Sequence, residues 1–427
     1  MNEIVLRKVK KSPKTIEYDF VATEGLSGYF SGKPFVIEYP VEITGVPDAV
    51  AAIPFVCNVL PIIWLTDSKL IVQELDQAFY ECIPNVKKGY ETMFPESTFA
   101  GEISVDKVVP CDAPVSGKTA AFFSGGLDAV HTLISHLEEK PALISIWGAD
   151  IKYENEEGWQ IVHKGIEEYA QKYSLPDVVI RSSFREFDNE GALHHQFAQQ
   201  LKDGWWHGVK HGLGLLGHAA PYAYLMGIST TYIASSNCPQ NGIVRCASSP
   251  LTDNYVRFAN TRIVHDGFEF GRQGKVHNVV EHVRRNNDML SLHVCWESQT
   301  GGNCCRCEKC YRTIVGLVAE GALPEEYGFT QTKNTMPLMR DILVGQRKLT
   351  QFLANAEWRY IQDAVQKNVV LVKRSPYWKD VKWILDADFL CVETIKAPVE
   401  WRERLSKFKF YQLLHKIKQN SKSKKRQ

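Results

Sequence analysis

The stretch AAFFSGGLDAVHTLISHL, Ala120 to Leu137, decides the reading of this chain. A short apolar run, Ala120 to Phe123, stops at Ser124-Gly125-Gly126-Leu127-Asp128. Val130, Leu133, Ile134 and Leu137 then recur at helical spacing. This predicts a strand, a tight glycine turn and a helix. Paired glycines let the backbone approach a ligand without a Cβ in the way. The free N–H groups that open a helix favour an anion in the turn. Ser124 adds a hydroxyl donor, and Asp128 suits a divalent cation that bridges phosphate oxygens.

Ser124-Gly125-Gly126-Leu127-Asp128 resembles the SGGxD loop of the N-type ATP pyrophosphatases, the PP-loop family. The resemblance implies that Ser124, Gly125, Gly126 and Leu127 cradle the pyrophosphate of ATP and that Asp128 places Mg²⁺. The family carries a serine directly after the aspartate, and this chain has Ala129. A Lys opening a late helix reaches the phosphates in these families. Lys275 stands at the matching place, before Val276 to Arg285, with Arg272 close by. These two and Asp128 are the expected catalytic groups, and a cation there would neutralise charge on leaving pyrophosphate.

The chain has 427 residues, too many for one ordinary domain, and its 44% hydrophobic and 23% charged residues are those of a folded protein. The net charge of +1 gives no global field toward nucleic acid. The opening residues MNEIVLRKVKKSPK lack the apolar core of a secretory signal. Ile53 to Leu65, interrupted by Pro54, Asn58 and Pro61, is too short to span a bilayer. A cytoplasmic protein is expected, and a homodimer is one assembly left open.

The second strong signal is Cys295 followed by Cys304, Cys307 and Cys310, the last three spaced C-x2-C-x2-C. Four thiolates from a turn-rich loop can wrap a metal tetrahedrally. Zinc in a closed, structural site is the favoured occupant, and an iron–sulfur cluster is the rival. The count of 11 cysteines, crowded in this way, fits a reducing compartment better than a disulfide framework. The order of SGGxD loop, late Lys and cysteine cluster resembles the 7-cyano-7-deazaguanine synthases, which use ATP to activate a carboxylate for attack by ammonia. Trp147-Gly148-Ala149 stands where those enzymes carry a Tyr-Gly-Gln type of turn, so the carboxylate is deazaguanine-like or another, small or on a protein.

The remaining pattern predicts three regions. Residues 1–115 read as an α+β accessory domain, with strands at Ile4 to Leu6, Thr15 to Val21 and Phe35 to Ile43 and a helix from Ser68 to Tyr90. Residues 116–321 alternate strand and helix, the pattern of a parallel α/β sheet with ligands beyond the carboxyl ends of its strands. Residues 322–427 read as helical, ending in a basic, aromatic tail from Lys407 to Arg426. Gly117-Lys118-Thr119 precedes its strand and is no Walker loop. Gly212-Leu213-Gly214-Leu215-Leu216-Gly217 lies inside a helical pattern and reads as close helix packing. His207 and His211, four apart, read as lining a pocket, with metal ligation the alternative. Asp150, His211, Asp253 and Asp266 are candidates to orient substrate. The expected function is carboxylate adenylation followed by attack of ammonia or an amine. The alternatives are a PP-loop enzyme that modifies nucleic acid, for which the tail is the only support, and an ATP-binding module without catalysis, hinted at by Ala129.

Overall fold

The computed structural model describes residues 2–112, 116–298, 302–346 and 349–395. The basic tail from Lys407 to Arg426 lies outside the described residues. By internal contacts the chain divides into two units, residues 1–302 and 303–427. The division expected at 115/116 therefore falls inside the first unit.

Eleven strands of the first unit form one sheet. In chain order they are β1 (Glu3–Lys11), β2 (Thr15–Ala22), β3 (Phe35–Glu38), β4 (Lys69–Asp76), β5 (Glu102–Val109), β6 (Lys118–Phe122), β7 (Ala142–Trp147), β8 (Asp177–Ser182), β9 (Ile228–Ala234), β10 (Arg257–Phe258) and β11 (Thr261–Asp266). Across the sheet they run β10, β11, β9, β6, β7, β8, β3, β2, β1, β4, β5. The five strands β8, β7, β6, β9 and β11 are mutually parallel. Ala142 to Ser145 of β7 are buried without alternation, as expected of a strand covered on both faces. The chain moves outward from β6 through β7 to β8, then returns to the other side of β6 with β9. The order thus reverses between β6 and β9, and in such sheets a crevice opens there at the carboxyl ends.

The N-terminal strands extend the same sheet, because β3 pairs antiparallel with β8 through Ile37–Ser182 and Glu38–Arg181. Residues 69–76, expected as helix, are strand β4, seated between β1 and β5 in parallel pairing. Leu70 and Val72 point into the core, and this alternation is masked by helix-favouring Lys69, Gln73 and Glu74. Pairing with two neighbours overrides the local propensity.

Nine helices among the described residues exceed eight residues: α1 (Ile53–Leu65), α2 (Gln77–Met93), α3 (Leu127–Ser135), α4 (Glu156–Tyr173), α5 (Glu190–Leu201), α6 (His211–Met226), α7 (Arg272–Asn286), α8 (Glu308–Ala319) and α9 (Arg359–Lys367). The apolar run at residues 53–65 is the core helix α1. It packs on α6, where a Cβ on Gly214 would meet Asn58 Oδ1 at 2.8 Å and one on Gly217 would meet Cys57 Cβ at 2.8 Å. Those glycines serve helix packing. No described helix is long and apolar enough to cross a membrane.

In the second unit α8 is clamped by polar contacts. Trp358, fully buried, donates from Nε1 to Glu308 at 2.9 Å, and Arg312 Nη1 reaches Glu357 at 2.6 Å.

Asp76 closes β4 and opens α2. Its buried Oδ2 accepts from Phe79 N at 3.0 Å and from Ala259 N, beside β10, at 2.8 Å. Asp76→Ala removes a helix cap and leaves a buried amide unpaired. Denaturant unfolding of the variant is expected to show a loss of about 2–3 kcal/mol. A loss below about 0.5 kcal/mol, the scale of a surface change, would show that Asp76 does not hold these elements together.

Candidate active site and metal centre

β6 ends at Phe122, and the chain turns through Ser124, Gly125 and Gly126 into α3. Gly125 has φ +71°, a left-handed conformation that favours glycine. Gly126 is the extended residue before the helix, and no side chain caps α3. The first turn of α3 thus opens on the loop without a built-in acceptor, the geometry of an anion cradle. Ser124 is exposed, and Gly126 N donates to its Oγ at 3.4 Å. Leu127 is buried and anchors the turn in the core. His293 N donates to Gly125 O at 2.7 Å, and Tyr169 OH donates to Ser291 O at 2.8 Å. The segment from Leu290 to Cys295 therefore passes as a strap over the loop, held to it through the His293 N–H and the Gly125 carbonyl.

The three expected catalytic groups meet here. Asp128, in the first turn of α3, accepts from Arg272 Nη1 at 3.1 Å on Oδ2 and from Lys275 Nζ at 3.3 Å on Oδ1. Arg272 and Lys275 both lie in the first turn of α7, which packs against α3. Lys275 is almost wholly buried and also donates from Nζ to the Ser235 carbonyl, just past the end of β9. The cluster therefore sits at the β6/β9 reversal of the sheet. Two cations face one carboxylate, so these three groups sum to a positive charge beside an uncapped helix start. Cations in the first turn of α7 oppose its dipole, and a bound anion would relieve that.

Several neighbours were not evident from the sequence. His131, one turn along α3 from Asp128, is buried, and its Nε2 accepts from Asn278 Nδ2 at 3.0 Å. Its Nδ1 has no hydrogen-bond partner among the described residues. Burial first, then the Lys275 charge, pushes its pKa below the ordinary value, so the ring is neutral. Spacing of i, i+3 from Asp128 was the available signal. Behind α3, Asp266 accepts from Thr132 Oγ1 at 2.7 Å and pairs with His136 Nε2 at 2.8 Å. Asp266 thus braces the helix that carries Asp128. Of the other candidates, Asp150 is exposed, Asp253 is buried against Ser248 and His265, and His211 faces Cys246. None of the three has a contact with the Asp128 cluster among the described bonds. Two surface hollows also lie elsewhere, one around Cys82, Ser229, Arg257 and Arg262 and the other around Asp48, Gln73 and Lys107.

The four cysteines converge as expected. The sulfurs of Cys295, Cys304, Cys307 and Cys310 all lie within 4.8 Å of one another. Cys307 N points at Cys304 Sγ at 3.3 Å, and Cys310 N at Cys307 Sγ at 3.4 Å. Such N–H contacts stabilise thiolates, and a set of four thiolates fits a tetrahedral cation such as zinc. Cys305, the spare, has φ +54° and directs its Sγ to the Asn303 carbonyl at 3.5 Å. A divalent cation at Asp128 also fits in kind, since Mg²⁺ commonly takes one carboxylate and completes its shell with phosphate oxygens and water.

Compared with family models, curated proteins and solved structures, the chain matches none.

Cys307→Ser should lower the zinc content of the purified protein, read by elemental mass spectrometry, by about one equivalent per chain and reduce its solubility. Unchanged metal content would remove Cys307 from the ligand set. For His136 the Asp266 bond, against burial, raises the pKa above its ordinary value. Its stabilisation is therefore full below the ordinary histidine pKa and fades as pH rises through the raised value. Asp266 is lowered, burial being outweighed by His136 and Thr132, so its share fades as pH falls through the lowered value. His136→Gln should cost most stability near pH 5–6 and least near pH 9, as measured by denaturant unfolding. A pH-independent difference would deny the ion pair.

Proposed function

We propose that the protein is an ATP-dependent ligase of the PP-loop type, which adenylates a carboxylate and hands the acyl group to ammonia or an amine. The observation that carries this reading is the Asp128–Arg272–Lys275 cluster beside the Ser124–Gly126 turn at the β6/β9 reversal. An uncapped helix start and two cations suit a polyphosphate.

In the first step a carboxylate oxygen of the substrate attacks the α phosphorus of ATP. The bond from that phosphorus to the bridging oxygen breaks, and pyrophosphate leaves. The N–H groups of the turn hold the leaving phosphates, while Lys275 and Arg272 offset the charge that builds on them. Mg²⁺ on Asp128 would supply further charge neutralisation. Asp128 also keeps the two cations in position. In the second step an amine attacks the carbonyl carbon of the acyl-adenylate, and AMP leaves with the C–O electron pair. This step needs mainly positioning. The carboxylate is deazaguanine-like or another, and the four-cysteine site has a structural role.

Asp128→Asn and Lys275→Ala should each lower pyrophosphate release from ATP, in the presence of a pool of deazapurine and amino-acid carboxylates, by about 10²-fold or more. Unfolding midpoints close to that of the parent would show that the fold survives. Undiminished release in either variant would remove that residue from the mechanism. Absence of release by the parent protein with every carboxylate would favour a nucleotide-binding role without turnover.

A further inference from the structure

A second cluster of reactive side chains stands at the amino end of α6, in groups the adenylation site does not use. Cys246 lies in the loop that follows β9, and its Sγ is 3.8 Å from His211 Nε2. His207 stands beside them, its ring stacked on that of His211 at 5.7 Å between centroids. Each imidazole is oriented through its other nitrogen. His207 Nδ1 meets Asp203 Oδ2 at 2.6 Å, and His211 Nδ1 meets the Trp206 carbonyl at 3.2 Å.

The backbone explains this arrangement. Residues Trp206–Lys210 form a wide π turn, in which the Trp206 carbonyl accepts the N–H of His211. The ring Nδ1 of His211 reaches the same carbonyl, which puts the proton on Nδ1 and leaves Nε2 to accept from the thiol. Such turns often mark functional positions. Ala247 N donates to His207 O at 2.8 Å, which pins the residue next to Cys246. Gly212 permits that approach, because a Cβ there would lie 2.0 Å from the Ala247 carbonyl.

We propose that Cys246, with His211 as its base and His207 as a second proton-carrying imidazole, is a nucleophilic thiol that takes up an activated acyl group as a thioester. The assignment of the acyl donor rests on the adenylation reading, and the thiol chemistry does not. Nucleophile, base and orienting carbonyl stand in the order that acyl transfer uses. The thiol proton passes to His211 Nε2. The thiolate attacks the carbonyl carbon of an acyl phosphate anhydride, a C–S bond forms, the C–O bond breaks and the phosphate leaves with the electron pair. An amine then displaces the thiolate, forming C–N and breaking C–S.

The charges around the thiol agree. Burial pushes the Cys246 thiol up, and the two imidazoles outweigh it and bring the pKa down to about 6. Asp203 and then Cys246 raise His207 to about 10. His211 is raised by Cys246 against its burial. The neighbouring cations Arg245 and Lys202 are both turned to Glu96, at 2.8 Å. Buried Lys210 is turned to Asp188 at 2.7 Å. Cys246 itself is 4% exposed, and beside it His207 presents a side chain that is 55% exposed.

The test uses the full-length protein and acetyl phosphate, which supplies an activated acyl group without the nucleotide loop. Peptide mass spectrometry should find acetyl on Cys246, removable by hydroxylamine, in the parent and equally in Asp128→Asn. With ATP and a free carboxylate, acylation should appear in the parent and not in Asp128→Asn. Loss of this second result alone would fault the adenylation reading and leave the thiol chemistry standing. Iodoacetamide should alkylate Cys246 at pH 7 at least about tenfold faster than in His211→Gln, with exposed Cys391 as the reference for an ordinary thiol. The proposal is overturned if Cys246 stays unacetylated and unalkylated while Cys391 reacts. It is overturned equally if Cys246→Ser loses an equivalent of zinc beyond that held by the four cysteines, which would make the cluster a metal site.

Discussion

Burial of the Lys275 ammonium is the constraint around which the site is built. A lysine removed from water needs compensating charge and acceptors, and this one has the Asp128 carboxylate and the Ser235 carbonyl. The lysine and its two partners belong to three different places in the chain: the start of α7, the start of α3 and the end of β9. Satisfying one charge thus ties together the elements that converge where the sheet reverses its order. Arg272 adds a second cation to the same carboxylate, so the three groups together remain positive. The arrangement that makes the fold electrostatically tolerable is therefore also the one that leaves a net positive charge beside the loop.

The rest of the first unit supports this point. The Asp266 pair with His136 and the Thr132 bond fix α3 from behind. The His293 N–H fixes the loop from the front. The N-terminal strands do not build a separate layer. By pairing β3 with β8 they lengthen the sheet and complete the core on its flank, where α1 packs on α6. The glycines of α6 then have two uses: Gly214 and Gly217 admit α1, and Gly212 admits the loop that brings Cys246 to His211.

The two cysteine environments differ in their neighbours. In the four-cysteine group each thiol is surrounded by other thiols, a donor set suited to a soft cation. At Cys246 the neighbours are imidazoles, whose protonation stabilises a thiolate without metal. The same side chain is thus set among sulfurs in one place and among imidazoles in the other.

Much of the site was legible locally. The strand, the glycine turn and the helix follow from short-range rules, and C-x2-C-x2-C states its own ligand geometry. Lys275 could be matched from its position before a helix. What could not be read is whatever depends on partners distant in sequence. Residues 69–76 carry helix-favouring side chains and became a strand because β1 and β5 flank them. His131 gains its place from Asn278, and Cys246 its pair from a π turn that no pattern of residue types announces. The sequence by itself determined the turn, the helix start and the cysteine spacing, since each is set within a few residues. Only the tertiary structure decided that all the described strands share one sheet, and which charges meet, because pairing and burial act between segments far apart along the chain.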